Sequence, residues 1–224
     1  LLSALSFQPF NFTLINFIIL PIFFFLIVYV KKKSKSIYRK KPYLRNLFLL
    51  GLLFGFGFYL SGISWIAYSL TFDPSFKFLI PAAIILIPLF LCFFTGFMIL
   101  LVGPYLSYNI GSLLIFSGGF ALTDFLRAKL FTGFPWNLWA YSLSWYTEVL
   151  QILNIIGLFA FNLLAITIFT FPVILFFNIS KIKKILFFLL APIFILILSI
   201  YGSYEINKNK YFLKNVDKKT NIKI

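Results

Sequence analysis

The sequence contains no histidine, one cysteine and only five carboxylates in 224 residues. The absence of histidine excludes imidazole-based catalytic triads and most metal sites. The carboxylates are dispersed, and no two are close enough in sequence to indicate a catalytic pair: Asp73, Asp124, Glu148, Glu205 and Asp217. The cysteine, Cys92, lies in an apolar run with no base beside it, which is typical of a buried, inert thiol. We therefore identify no catalytic residue and no metal ligand in this sequence.

Charged residues of any kind are scarce. They make up 11% of the chain, whereas 62% is hydrophobic and the mean hydropathy is +1.01, far outside the range of soluble domains. A membrane-spanning helix needs about 20 apolar residues. Six runs approach or exceed that length: Leu14–Val30, Leu47–Leu70, Phe78–Val102, Ile110–Leu126, Ile152–Asn178 and Ile185–Ser199. The sequence therefore predicts an all-α, polytopic integral membrane bundle with about six complete spans.

The charges that are present are mostly positive, and the formal net charge is +15. Eight of the twenty basic residues lie in one short loop, Lys31–Arg45, between two predicted spans. Such clusters beside membrane spans mark cytoplasmic loops and attract anionic lipid headgroups. This distribution favours membrane lipids as partners over nucleic acid.

Span parity then predicts the topology. If Lys31–Arg45 is cytoplasmic, Lys181–Lys184 faces the same side, in agreement with its positive charge. Thr71–Lys77 and Arg127–Gln151 fall on the outer side. The tail after Gly202 also falls outside, although it is basic.

The domain boundaries follow from composition. Residues 1–202 are predicted to be the transmembrane domain, in which residues 1–10 are the end of a truncated first helix. Residues 203–224 are predicted to be a polar linker followed by the first strand of a soluble domain, because residues 219–224 alternate polar and apolar side chains.

Within the second complete span, Gly51, Gly55 and Gly62 recur at helical spacing, which predicts close helix packing.

Residues 127–151 form the longest connection between predicted spans. Six of its apolar and aromatic residues, together with Leu153 at the start of the next span, approximate a helical stripe: Trp136, Trp139, Ala140, Leu143, Tyr146 and Leu150. Such a stripe predicts an amphipathic helix lying in the membrane interface, with an aromatic surface at headgroup depth.

The chemically richest stretch is residues 124–136, Asp-Phe-Leu-Arg-Ala-Lys-Leu-Phe-Thr-Gly-Phe-Pro-Trp. Asp124 and Arg127 are three residues apart on a predicted helix, so they are able to pair. One interpretation is an anchor whose charges snorkel to the interface; the other is a guanidinium presented to a lipid phosphate. Similarly, Phe134, Pro135 and Trp136 either anchor the protein at the interface or form one wall of a lipid entry site. The residues alone favour anchoring in both cases.

Four stretches together resemble the membrane domain of apolipoprotein N-acyltransferases. They are Leu5–Phe10, Gly55–Ile66, Leu126–Trp136 and Gly157–Leu163, of which the Thr-Gly-Phe-Pro-Trp core is the most specific. The resemblance departs from the family at Asp124, where a glutamate is usual. It implies candidate substrate-binding roles for Asp124, Arg127, Phe134, Pro135, Trp136 and Trp139.

The resemblance also implies a multi-pass protein of the bacterial inner membrane. Its parent enzyme is expected to transfer an acyl chain from a phospholipid to the amino terminus of a diacylglyceryl-cysteine lipoprotein, without a cofactor. The family's catalytic glutamate, lysine and cysteine belong to a nitrilase-like α/β domain and are not in this sequence, so the chain alone is expected to be inactive. The alternative is a non-enzymatic transporter subunit or scaffold. However, the spans have almost no polar residues near their centres, which counts against a transporter.

Overall fold

A computed structural model describes residues 2–34, 41–130, 133 and 135–217. Within these residues the chain is helical and contains no strand. The described part of the chain contains seven α-helices: α1 (Asn16–Lys33), α2 (Tyr43–Ile63), α3 (Ile80–Val102), α4 (Ile110–Lys129), α5 (Thr147–Leu150), α6 (Leu153–Thr170) and α7 (Lys181–Asp217). All except the one-turn α5 belong to helical segments that are long and apolar enough to cross a membrane. The prediction of six spans is therefore confirmed.

Helices α2 and α3 pack closely along the predicted glycine stripe. A Cβ atom on Gly51 would lie 2.8 Å from the Thr95 carbonyl oxygen, and one on Gly55 would lie 2.9 Å from the Thr95 side chain. Small residues allow membrane helices to approach to this distance. Gly62 belongs to the same stripe, but it faces the side chain of Asn137 rather than α3.

Aromatic rings fill the core between the helices. Phe23 of α1 stacks on Phe54 of α2 with ring centroids 3.7 Å apart. Phe24 meets Phe116 of α4 edge-on at 5.5 Å. Aromatic pairs in such geometries contribute about 0.5–1.5 kcal/mol beyond the area that they bury. Part of the high phenylalanine content, which looks like compositional bias in the sequence, therefore builds the core.

Contacts between loops define the two ends of the bundle. At the basic end, Lys31 donates from Nζ to the Leu106 carbonyl oxygen at 3.0 Å, and Lys32 lies 4.5 Å from the centre of the Tyr108 ring. At the opposite end, which we call the loop end, Thr13 contacts Ser142 and Trp65 contacts Trp136. These contacts place the loops at opposite ends as parity requires; which end is cytoplasmic remains a prediction.

The segment between α4 and α6 differs from the sequence prediction. It contains a 3₁₀-helix at Trp139–Leu143 and the short α5 rather than one amphipathic helix. Gly133 and Asn137 have positive φ angles of 72° and 55°, which an α-helix does not accommodate. The prediction of a continuous interfacial helix is therefore wrong.

The described parts of both chain ends are helical. Residues Leu2–Ser6 form a short 3₁₀-helix. Helix α7 continues through Asp217, so the start of the predicted polar linker at residue 203 is helical. The strand predicted within residues 219–224 lies outside the described residues.

Candidate functional site

The site is built around an ion pair in the last turn of α4. Arg127 donates from one terminal nitrogen, Nη2, to Oδ1 of Asp124 at 3.0 Å. Asp124 is 4% exposed and Arg127 is 1% exposed. The predicted pairing is confirmed. Although an aspartate side chain is shorter than the glutamate usual in the family, the Asp124 carboxylate reaches the guanidinium.

Asn162 of α6 connects this pair to the following loop. Its Nδ2 donates to Oδ2 of Asp124 at 2.8 Å, and its Oδ1 accepts from the backbone N–H of Ala140 at 3.0 Å. Asn162 is fully buried. The side chain therefore uses both its donor and its acceptor to link α4, α6 and the 3₁₀-helix.

Arg127 makes a second connection to the loop. Its other terminal nitrogen, Nη1, donates to the backbone oxygen of Trp136 at 2.6 Å. The guanidinium carbon also lies 5.3 Å from the centre of the Tyr59 ring of α2, within cation–π range. Arg127 thus contacts two helices and the loop, and the planar fork of its donors suits this role better than a lysine ammonium.

The snorkelling interpretation of Arg127 is wrong. A snorkelling side chain keeps its charged head in water or among headgroups, whereas the Arg127 side chain is fully buried. The loop that includes Trp136 and Ala140 contacts the network through its backbone. In this arrangement the guanidinium is directed into the protein, and the fork is not presented at the lipid-facing surface.

The loop itself depends on two backbone conformations. A Cβ atom on Gly133 would lie 2.7 Å from the carbonyl oxygen of Ala128, and its φ of 72° favours glycine. At Asn137, φ is 55°, which asparagine tolerates better than most residues. Gly62 leaves room for the Asn137 side chain. The glycine of the Thr-Gly-Phe-Pro-Trp motif is therefore required by the turn.

The two tryptophan candidates differ in their exposure to the surroundings. Trp139 is 1% exposed and stacks on Phe58 at 4.8 Å, so it belongs to the core rather than to a lipid-facing stripe. Trp136 is 48% exposed and meets Trp65 edge-on at 5.2 Å. Pro135 is exposed beside it, and Phe134 lies outside the described residues.

A pocket of about 530 Å³ opens at the loop end, directly beside Trp136. Trp65, Trp136 and Tyr141 contribute aromatic walls, and Gln8 and Ser64 contribute polar groups. Burial raises the pKa of Tyr141, and the nearby charge of Arg127 partly opposes that effect. The Tyr141 phenol is therefore neutral at physiological pH.

A second polar cluster fixes the far side of the same loop. Thr13 donates from Oγ1 to the Ser142 carbonyl oxygen at 2.6 Å, and Asn16 donates from Nδ2 to the Ser142 hydroxyl at 2.9 Å. All three residues are buried. The loop is therefore tied to the start of α1 as well as to α4 and α6.

Cys92 is buried in α3, as predicted, and its thiol donates to the Leu89 carbonyl oxygen at 3.0 Å.

The sequence alone does not identify Tyr59 or Ala140 as parts of the network, and it places Asn162 only within the Gly157–Leu163 stretch. The usable signal was an amide in the middle of an apolar helix, since a buried amide must find partners.

Together, the six spans and the buried polar network define a multi-pass helical membrane protein. Residues 1–170 match the model of the apolipoprotein N-acyltransferase N-terminal domain. The chain belongs to this family.

Individual relatives agree with the family match. An apolipoprotein N-acyltransferase of Brucella melitensis is 33% identical over 177 residues, which are 77% of this chain and 32% of the relative. The enzyme of the same name from Rhodopseudomonas palustris is 35% identical over 177 residues, 78% of this chain and 32% of the relative. The chain thus spans about a third of the length of these relatives.

Proposed function

We propose that this chain is the membrane domain of a bacterial apolipoprotein N-acyltransferase located in the inner membrane. The parent enzyme takes an acyl chain from a phospholipid and transfers it to the terminal amine of a diacylglyceryl-cysteine lipoprotein. The observation that carries this proposal is the family match over residues 1–170. The relatives' shared name supports the reaction class.

Within that enzyme, the buried network has a positioning role. The Asp124–Arg127 pair and Asn162 hold the loop through backbone groups of Trp136 and Ala140. This arrangement sets the position of the Trp136 ring beside the pocket at the loop end. We assign lipid-substrate contact to Trp136, Pro135 and Phe134, and we assign support of that surface to Asp124, Arg127 and Trp139.

The chemical step requires residues outside this chain. Acyl transfer through a covalent intermediate needs a nucleophile activated by a neighbouring base. Cys92 is buried in α3 against a backbone carbonyl, and the sequence contains no histidine. Because the matched residues make up only 32% of these relatives, we assign the nucleophile, its base and the oxyanion-stabilising group to a nitrilase-like domain of the parent enzyme.

Two experiments test the proposal. Reading the gene beyond the codon for Ile224 is expected to reveal that domain, whereas an early stop codon would contradict it. The purified 224-residue chain, incubated with a diacylglyceryl peptide in phospholipid micelles, is expected to form no acylated product. Turnover that Cys92→Ala abolishes would show that the buried thiol is reactive and that the assignment is wrong.

A further inference from the structure

An apolar furrow of about 590 Å³ runs between α3 and α4, and it shares no lining residue with the loop-end pocket. Phe90, Phe93 and Phe97 form much of its α3 wall, and Leu122 and Leu126 line the α4 side. The hydroxyl of Thr123, which also lines it, already donates to the Gly119 carbonyl oxygen at 2.8 Å. The furrow therefore offers hydrocarbon contact without an unsatisfied hydroxyl.

The α3 and α4 helices converge at one end of the furrow. At Gly119, a Cβ atom would lie 2.7 Å from Cγ2 of Val102, so the two helices touch there. From Gly119 to Lys129 at the end of α4 is ten residues, or about 15 Å of helix at 1.5 Å per residue. This length matches half of a hydrocarbon core about 30 Å thick.

A positive charge lies at the other end of the furrow, where Lys129 precedes Leu130, one of the lining residues. Leu122, Leu126 and Lys129 follow i, i+4, i+7 spacing, so they share one face of α4. Lys129 is exposed, and among the described residues no carboxylate lies within ion-pair distance of it. An apolar furrow that ends beside an exposed cation complements a molecule with a hydrocarbon chain and an anionic head.

We propose that the α3–α4 furrow is a binding site for an anionic phospholipid. One acyl chain lies along it with its methyl end near Gly119 and Val102, and the phosphate lies beside Lys129. Binding is measured on the protein without acyl transfer, so the outcome is independent of the proposed function.

The test uses the protein in nanodiscs of dioleoylphosphatidylcholine with a trace of photoactivatable phosphatidylglycerol. A diazirine at the chain end is expected to label the peptides that contain Val102 and Gly119, and one near the ester is expected to label those that contain Phe90 and Leu126. Excess unlabelled phosphatidylglycerol should suppress both. Labelling spread along α1, α2 and α7 without saturation would overturn the proposal, and so would an unlabelled furrow, which would indicate that another helix covers it.

Leu122→Trp fills the furrow from the α4 side and is expected to reduce the saturable labelling roughly tenfold. Leu114→Trp is the matched control, because Leu114 lies on the same helix, is equally exposed at 58% and does not line the furrow. Leu101→Trp fills the furrow from the exposed face of α3 and should act like Leu122→Trp. Equal labelling of the wild type and both furrow variants would contradict the site.

Lys129→Gln tests the headgroup contact. A basic residue near an anionic lipid surface contributes about 1 kcal/mol, so this variant should weaken competition by phosphatidylglycerol about fivefold. Lys77→Gln, at another exposed lysine, is the control and should not change it. Diacylglycerol with the same chains should compete with the wild type as weakly as phosphatidylglycerol competes with Lys129→Gln. Equal competition by diacylglycerol and phosphatidylglycerol would overturn the assignment of the phosphate to Lys129.

Discussion

The side-chain amide of Asn162 bridges Asp124 of α4 to the backbone of Ala140. Because one end donates and the other accepts, neither an aspartate nor a leucine reproduces both contacts. The bridge makes the position of the loop depend on a residue that is distant from it in sequence.

Replacing Asn162 by alanine should therefore release the loop. A buried polar group left without its partner costs about 1–3 kcal/mol, and the Ala140 amide should lose its protection. Hydrogen–deuterium exchange of the peptide containing Trp139–Leu143 measures this effect. Asn154→Ala, at an exposed position in the same helix, is the control. Unchanged exchange in Asn162→Ala would show that the bridge does not hold the loop.

The buried ion pair should behave differently from an exposed pair of the same spacing. Asp124→Ala leaves the Arg127 charge buried, and we expect a loss of about 3–5 kcal/mol in the free energy of unfolding. The double variant Asp124→Leu/Arg127→Met should recover part of this loss. Glu205→Ala breaks the exposed pair with Lys208 and should cost less than about 1 kcal/mol. Reversible unfolding in mixed micelles provides the comparison; similar losses for the two alanine variants would contradict the proposed burial.

The close contact of α2 and α3 should tolerate no side chain at Gly51. Gly51→Val places atoms against the Thr95 carbonyl and Gly96 Cα, and overpacking of this kind costs about 1–3 kcal/mol. Gly118→Ala is the control, because a Cβ atom there meets nothing within 4 Å. It should stabilise α4 slightly, since alanine is the better helix former. Thermal unfolding in micelles tests both variants, and an unaffected Gly51→Val would contradict the predicted packing.

The topology is tested by single cysteines introduced into a Cys92→Ser background. Thr147 and Lys41 are both exposed, at the loop end and on the predicted cytoplasmic loop respectively. A membrane-impermeant maleimide added to intact spheroplasts should label Thr147→Cys and not Lys41→Cys. After lysis, both should be labelled. The opposite pattern in intact spheroplasts would invert the orientation.

The sequence predicted the parts of the fold that depend on composition and short-range spacing. The six spans follow from apolar runs, and the Asp124–Arg127 pair follows from an i, i+3 relationship. The backbone conformation at residues 133 and 135–146 could not be predicted in this way, because it depends on the positive φ angles of Gly133 and Asn137 and on contacts with distant helices. For the same reason Trp139 matched a surface stripe by spacing, although it packs against Phe58 in the core.

N-acylation by the protein encoded by the complete gene tests the central claim most directly. A diacylglyceryl peptide supplied in phospholipid micelles should gain one acyl chain, detected by mass spectrometry. Trp136→Ala should lower the rate more than it lowers thermal stability, because the ring is half-exposed and is assigned to lipid contact. Arg127→Lys should lower both the rate and the thermal stability. A single ammonium does not reproduce the planar guanidinium, whose two terminal nitrogens donate separately to Asp124 and to the Trp136 backbone oxygen. Absence of acylated product from the folded wild-type protein would contradict the assignment as the membrane domain of an N-acyltransferase.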